Sequence, residues 1–184
     1  MNRQPTLTGD RLLLQPLRAD DWDALYAVAS DPLIWELHPA HDRWQEPVFH
    51  AYFANALAHG GAVAVIDRAS GAMVGSSRWQ GHDPAEGGSV EIGWTFLARS
   101  LWGGSVNREL KRLMLAHAFE AVTRVDFRVG ASNLRSVATR AHSRKRSMSE
   151  HQFIWSTRWP PGLRPPISPK TTSPSGLRYH SMWV

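Results

Sequence analysis

Hydrophobic positions recur at two different periods along the first 136 residues, and the period identifies the elements. Spacings of three and four residues predict helices over residues 19–30, 47–59 and 107–121. Short apolar or alternating runs predict strands at residues 11–16, 62–67, 72–79, 89–96 and 124–129. The resulting order, β-α-α-β-β-β-α-β, predicts an α/β protein with a mixed sheet and helices on both faces.

The strand at residues 89–96 carries the clearest alternation. Its apolar residues are Val90, Ile92, Trp94 and Phe96, and Glu91, Gly93 and Thr95 lie between them. Because side chains alternate between the faces of a strand, this pattern predicts one apolar face and places Glu91 on the opposite face. Gly93 would permit the close approach of a ligand, and its alternative role is a bulge in an ordinary strand.

Composition fits one soluble domain. The chain has 184 residues, 42% of them hydrophobic, and no run approaches the roughly 20 apolar residues of a membrane helix. No cysteine is present, which excludes disulfides, thiolate metal sites and a cysteine nucleophile. With no apolar signal core at the N-terminus, we expect a cytoplasmic protein without a membrane partner. His38 and His41 are spaced like metal ligands, but no third ligand accompanies them, so no metal is expected.

The charge is uneven along the chain. Residues 1–136 contain 13 Lys and Arg against 15 Asp and Glu, whereas residues 137–184 contain 8 against 1. The net charge of +5 therefore belongs to the last quarter, and a basic nucleic-acid surface on the whole protein is not expected. The slightly acidic first part favours a cationic ligand only weakly.

Two adjacent glycines, Gly103 and Gly104, precede the third predicted helix in the stretch "LWGGSVN". Helix N-termini present unpaired amides to anions, and glycine lets the backbone approach a phosphate closely. The same pair also fits an ordinary turn that needs a positive φ. The spacing alone leaves both interpretations open.

Three segments resemble the Gcn5-related N-acetyltransferases, or GNAT family: "DPLIWELHP", "VEIGWTFLARSLWGGSVNRELKRLMLAHAF" and "GASNLRS". They resemble in particular the RimJ/RimL-type branch that acetylates the N-termini of ribosomal proteins. The resemblance covers residues 6–136. It implies a GNAT-like fold and transfer of an acetyl group from acetyl-CoA to a primary amine, either a peptide N-terminus or a small amine.

In the GNAT family, a loop with the pattern Q/R-x-x-G-x-G/A holds the cofactor pyrophosphate. Gly103 occupies the fourth position here, whereas Ser100 and Ser105 depart from the pattern at the first and sixth. Trp102 is expected to anchor this loop to the core. The resemblance implies that the acetyl-CoA contacts come from Phe96, Leu97, Ala98, Arg99, Leu101, Trp102, Gly103, Gly104, Ser105, Val106 and Asn133.

The resemblance also suggests catalytic residues. Glu91 is the candidate general base, and its alternative role is a surface carboxylate paired with an arginine. Ser136 is a candidate acid towards the thiolate, and its alternative role is a helix cap. Trp35 and His38 lie in the region that binds the acceptor, although Trp35 also suits simple packing.

The hydrophobic residues of segment 137–184 show neither a helical nor a strand period, and the segment does not resemble the GNAT family. Six prolines fall in it, and the family's final helix and two strands are expected to be missing or altered. Three interpretations remain open: an out-of-frame translation, a divergent extension, or a basic segment that binds RNA or another anion. Two functions accordingly compete with the acetyltransferase, namely acetyl-CoA binding with impaired turnover and anion binding through the tail. A homodimer is compatible with the sequence.

Overall fold

The computed structural model describes residues 1–130, 144–149 and 152–158. Its helices are α1 (Trp22–Ala29), α2 (Glu46–His59) and α3 (Val106–Phe119). Its strands are β1 (Leu7–Thr8), β2 (Leu12–Pro16), β3 (Ala62–Asp67), β4 (Met73–Asp83), β5 (Ser89–Leu97), β6 (Arg124–Gly130), β7 (Arg144–Ser149) and β8 (Gln152–Arg158). Every element predicted before residue 130 is present, and β1 is a short addition.

All eight strands form one sheet in the order β1-β2-β3-β4-β5-β6-β8-β7. Neighbouring strands are antiparallel except β5 and β6, which are parallel. A parallel pair needs a crossover connection, and α3 supplies it. The predicted mixed α/β fold is therefore confirmed.

A hydrophobic core lies on each face of the sheet, and β3 shows how the sequence separates them. Val63 and Val65 pack into the core beneath α3. Ala62 and Ala64 face the core beneath α1 and α2, where the side chains from the helices are mostly aromatic. Small residues on this face of the strand leave room for those rings.

The strands β7 and β8 form where the sequence pattern predicted no element. They pair with each other, and β8 continues the sheet beside β6. The segment "QFIWSTR" of β8 is rich in β-branched and aromatic residues, a local preference hidden by the basic, proline-rich composition around it. An open edge of β6 would also attract a partner strand. The family's final helix, expected around residues 137–143, falls outside the described residues.

In the part of the chain that the structure describes, every helix is too short or too polar to cross a membrane. Among the same residues, no group of three or more His, Asp or Glu side chains is placed to hold a metal ion.

Candidate active site

A gap opens in the sheet where β5 and β6 stop pairing. The two strands form three parallel residue pairs, the last of which joins Glu91 to Asp126. Beyond it, β5 continues to Leu97 and β6 to Gly130 without pairing to each other. The facing edges of the two strands can therefore accept an extended ligand between them.

A β-bulge in β5 lies beside this gap. Gly93 pairs with Arg78 and Phe96 with Ser76, so two residues of β5 oppose one residue of β4. One of the two, Trp94, has a φ of 56°. The left-handed region costs a residue with a side chain about 1–2 kcal/mol. The extra residue exchanges the faces of β5 because every side chain beyond it is shifted by one position.

The prediction that the alternating apolar residues of β5 share one face is therefore wrong. Val90 and Ile92 pack beneath α3, whereas Phe96 packs beneath α1 and α2. Glu91 consequently lies on the same face as Trp94. Gln80 connects them, since its Nε2 donates to Glu91 Oε1 at 2.9 Å and its Oε1 accepts from Trp94 Nε1 at 2.6 Å.

Glu91 lies at the point where the gap begins and is largely shielded from solvent. Its side chain is 14% exposed, and Arg128 Nη2 donates to its Oε2 at 3.1 Å. The structure thus contains the arginine pairing that was the alternative role of Glu91. Catalysis by Glu91 stays a prediction.

Lys111 of α3 bridges the gap on the opposite face of the sheet. It is 8% exposed. Its Nζ donates to Thr95 Oγ1 at 2.7 Å and lies 5.7 Å from the ring centroid of Phe127. Thr95 belongs to β5 and Phe127 to β6, so this lysine links the two separated strands. The helical periodicity of α3 gave no sign of this role.

The glycine loop presents open backbone before α3. Gly103 has a φ of 73°, and a Cβ added there would meet no heavy atom within 4 Å. A Cβ at Gly104 would meet only Leu101 O, at 3.6 Å. The positive φ supports the turn interpretation of the glycines, and the open space in front of them suits an anion.

The first turn of α3 carries no side-chain cap. Ser105 precedes the helix without capping it, and its Oγ instead accepts a hydrogen bond from Arg11 Nη1 at 3.2 Å. The amides of this turn therefore keep their capacity to bind an anion, and the helix dipole and the Arg11 guanidinium add positive charge. The sequence pattern gave no reason to single out Arg11.

Glu109 fixes the start of α3 to the turn between β1 and β2. Its buried carboxylate accepts hydrogen bonds at Oε1 from the amides of Arg11, at 2.9 Å, and Leu12, at 3.2 Å. A Cβ at Gly9 would lie 2.1 Å from the same oxygen. Glycine at position 9 is thus required for the approach of the carboxylate.

A cleft of about 370 Å³ lies beside the glycine loop, between the end of α1, Ile34 and residues 98–100. Arg99 Nε donates to Asp31 Oδ2 at 2.5 Å across it. This hydrogen bond lowers the pKa of Asp31 below its ordinary value. Part of the Arg99 charge is therefore already neutralised by Asp31.

A sequence-family model described as an acetyltransferase (GNAT) domain matches residues 11–144, well over half of the chain. The chain belongs to the GNAT acetyltransferase family. It is therefore an acetyl-CoA-dependent acyltransferase. No curated protein matches it in sequence.

Several solved structures share its fold. A GNAT-family acetyltransferase from Bacillus anthracis is 14% identical with a TM-score of 0.66, over 84% of this chain and 98% of the other. A GCN5-related N-acetyltransferase from Brucella melitensis is 22% identical with a TM-score of 0.67, over 84% and 79%. Mycobacterium smegmatis RimJ in complex with CoA-disulfide is 18% identical with a TM-score of 0.61, over 80% and 81%.

The predicted cofactor residues of this GNAT protein divide into two groups. Phe96, Leu97 and Val106 are buried in the two cores, so only their backbones remain for a ligand. Ala98, Arg99, Leu101 and Gly103–Ser105 lie at the surface or half-buried along the loop. Asn133 and Ser136 fall outside the described residues.

The position of Trp102 differs from the prediction that it anchors the loop to the core. Trp102 is 37% exposed and is not packed in the core. Its Nε1 donates to Leu97 O at 3.0 Å, so the loop is fastened to the end of β5 by a hydrogen bond.

Trp35, predicted as an acceptor contact, is a packing residue in the described fold. It is 3% exposed, its Nε1 donates to Ala29 O at 2.7 Å, and its ring centroid lies 5.1 Å from that of Phe96. This is the alternative that the sequence left open for Trp35. Binding of an acceptor by this ring stays untested.

An arginine that the sequence did not single out lies over three rings of this GNAT protein. Arg43 Cζ is 5.1 Å from the ring centroid of Trp35, 4.9 Å from that of Tyr52 and 5.3 Å from that of Trp94. Tyr52 donates its hydroxyl proton to Trp94 O at 3.0 Å, which holds the bulge. Burial raises the pKa of Tyr52 to about 12, so the hydroxyl remains a donor.

His38 lies next to this arginine. Burial, together with the charge of Arg43, lowers the pKa of His38 to about 4. The amide of Ala40 donates to His38 Nδ1 at 2.9 Å, which places the proton of the neutral ring on Nε2. His38 is therefore neutral at pH 7.

This depressed pKa predicts a loss of stability in mild acid. As the pH falls from about 6.5 towards 4, the unfolded chain binds a proton that the folded His38 does not, so unfolding is favoured. Allowing for partial solvent screening, we expect about 1–2 kcal/mol of stability to be lost between pH 7 and pH 5 through His38.

Chemical denaturation of His38→Asn at both pH values measures this loss, because asparagine can still accept from Ala40. The exposed His41→Asn is the control and should retain the pH dependence of the wild type. An equal pH dependence in wild type and His38→Asn would contradict the assignment.

Proposed function

We propose that this GNAT protein is an N-acetyltransferase that acetylates a primary amine, either a peptide N-terminus or a small amine. One observation carries the proposal: the gap between β5 and β6 lies next to an uncapped helix N-terminus with open glycines. A thioester arm and its pyrophosphate need these two features side by side. The motifs of the RimJ/RimL branch support a peptide N-terminus among the acceptors.

The residues present fit acetyl-CoA. The space in front of Gly103 is open, and the first amides of α3, with Arg11 beside them, suit a pyrophosphate. The facing edge of β5 suits the amide-containing arm of the cofactor. When bound, acetyl-CoA supplies an acetyl group activated as a thioester.

Glu91 is the proposed general base. In the transfer, the amine nitrogen bonds to the acetyl carbon, the carbon–sulfur bond breaks, and the amine proton passes to Glu91 through a water molecule. The sulfur leaves as a thiolate and takes a proton to become the thiol of coenzyme A. Ser136 remains a candidate for that last proton on the family resemblance alone.

Glycine substitutions test the cofactor site. Gly103 and Gly71 form a matched pair, because their φ values are 73° and 71° and a Cβ at either meets nothing within 4 Å. Alanine should therefore cost both about 1–2 kcal/mol of stability. We expect Gly103→Ala to weaken acetyl-CoA binding about tenfold in isothermal titration, whereas Gly71→Ala in the β3–β4 turn should leave it unchanged, since the cofactor would approach only Gly103.

Thiol release over a panel of amines then tests transfer itself. Turnover with a primary amine supports the proposal. Binding of acetyl-CoA without turnover of any amine would instead support the impaired homologue. Equal affinity of the two glycine variants would remove the loop from the cofactor site.

A further inference from the structure

A positively charged cluster of side chains lies on the α1 and α2 face of the sheet, beside the bulge of β5. We call it the Arg43 cluster and define it by Arg43, Trp35, Tyr52 and Trp94. The Arg43 guanidinium is within 4.9–5.3 Å of all three ring centroids. Aromatic faces attract a cation, so the rings hold the guanidinium in place without a carboxylate.

The three rings do not occupy the hydrogen-bond donors of the Arg43 guanidinium. Within the described residues, the Arg43 side chain forms no hydrogen bond or ion pair, in contrast to three other arginines of the protein. Arg78 donates to Asn55 Oδ1 at 2.9 Å, Arg99 to Asp31 at 2.5 Å and Arg128 to Glu91 at 3.1 Å. A half-buried guanidinium with free donors is a site for an oxyanion.

The charges around the Arg43 cluster also favour an anion. Arg78 Cζ lies 5.3 Å from the Trp94 ring centroid, so a second cation adjoins the ring that Arg43 covers. Burial lowers the pKa of both Arg43 and Arg78, as it does when a cation is desolvated without full compensation. His38 is neutral, and Asp42, next to Arg43 in the chain, is the acidic group that acts on the guanidinium. Two arginines against one aspartate leave a positive balance here, so the weak preference for a cationic ligand, based on overall charge, does not hold at this place.

The Arg43 cluster is connected to the proposed site of transfer. Trp94 contacts Arg43 through its ring and, through Gln80, connects to Glu91 at the start of the gap. A molecule whose amine reaches Glu91 can place a second group against Arg43 on the same face of the sheet.

We propose that Arg43 binds a carboxylate carried by the amine acceptor, so that the acceptors of this GNAT protein are amino acids or acidic peptides rather than polyamines or neutral amines. This inference rests on the proposed function. A carboxylate is favoured because a guanidinium covered by rings offers its edge, and the forked N–H donors of that edge match two carboxylate oxygens.

The test compares acceptors that differ only at the carboxylate. Each acid, such as leucine or a peptide with glutamate at its second position, is paired with its amide, leucinamide or the glutamine peptide. Thiol release gives kcat/KM for each, and isothermal titration with coenzyme A present gives the affinity even where turnover is slow. We expect at least one acid to be preferred tenfold or more over its amide.

Variants of Arg43 test whether this residue causes the preference for the acid over its amide. Arg43→Gln should abolish it through KM with an unchanged affinity for acetyl-CoA, and Arg43→Lys should retain part of it. The control is Arg112→Gln on the exposed side of α3, where Arg112 lies 3.8 Å from Asp10, and it should behave as the wild type.

Three results would overturn the inference: equal use of acids and amides by the wild type, tighter binding of an amine bearing a phosphate, or a weakened acetyl-CoA affinity in Arg43→Gln. Absence of acetyl-CoA binding in the wild type would instead contradict the proposed function. The two failures are therefore distinguishable.

Discussion

Glu109→Ala is expected to lower the free energy of unfolding by about 3 kcal/mol. The carboxylate is buried and accepts from two backbone amides, those of Arg11 and Leu12. Alanine would leave both amides without their charged acceptor and open a small cavity beside Gly9. For a chain of 184 residues, this corresponds to a fall in Tm of roughly 6–12 °C.

Two further variants separate the hydrogen bonds from other causes. Glu109→Gln keeps one acceptor oxygen and should cost only about 1 kcal/mol. Glu120→Ala, at the exposed end of α3, removes a carboxylate 3.6 Å from His117 and should change stability by less than about 0.5 kcal/mol. A Tm of Glu109→Ala within two degrees of the wild type would show that these hydrogen bonds contribute little.

The same contact bears on function because Glu109 lies in the first turn of α3. The helix N-terminus can bind an anion only if its amides are held in one position relative to the sheet. Hydrogen bonds from Arg11 of the β1–β2 turn to Glu109 and Ser105 hold that position, whereas the family motif begins only at residue 100. The sequence motif locates the loop, and the supporting contacts come from a distant segment that no local pattern identifies.

Periodicity predicted the elements before residue 130 because each strand and helix has one face in a core. The α3 helix begins within one residue of the expected Asn107, since Leu110, Leu113 and Met114 repeat at helical spacing. Local patterns of this kind are sufficient where burial on one face decides the conformation.

The bulge shows where local patterns fail. The alternation predicts a regular strand, and although Gly93 marks a possible bulge, Trp94 gives no sequence signal for a positive φ. Contacts from distant segments, such as the Tyr52 hydroxyl on Trp94 O and the Arg43 side chain on its ring, stabilise this conformation. The faces of the site residues therefore could not be predicted from the spacing within β5.

The resemblance to the family likewise predicted more of the residues proposed for the cofactor site than of those proposed for the acceptor site. Backbone features such as a glycine loop leave a readable motif, because few residues tolerate the required conformation. Arg43 and Arg78, by contrast, meet at Trp94 from a loop and from β4. Side chains that meet only in the folded protein have no fixed spacing in the sequence, so no motif identifies them.

Glu91→Gln is expected to lower kcat by about a hundredfold if Glu91 is the general base. The amide cannot accept a proton, yet it can still receive the hydrogen bond from Gln80 Nε2 that Glu91 Oε1 now accepts at 2.9 Å. Acetyl-CoA affinity should be unchanged, and the pH dependence of the rate should differ from that of the wild type. Thiol release measured across pH tests both.

The ion pair with Arg128 gives this prediction its control. If Glu91 serves only to pair with Arg128, then Arg128→Met removes the same interaction and should reduce the rate as much as Glu91→Gln does. If Glu91 accepts the proton, Arg128→Met should keep most of the activity, because the carboxylate remains at the start of the gap. Equal losses in the two variants would assign Glu91 a structural role, and an unchanged pH profile in Glu91→Gln would remove it from proton transfer.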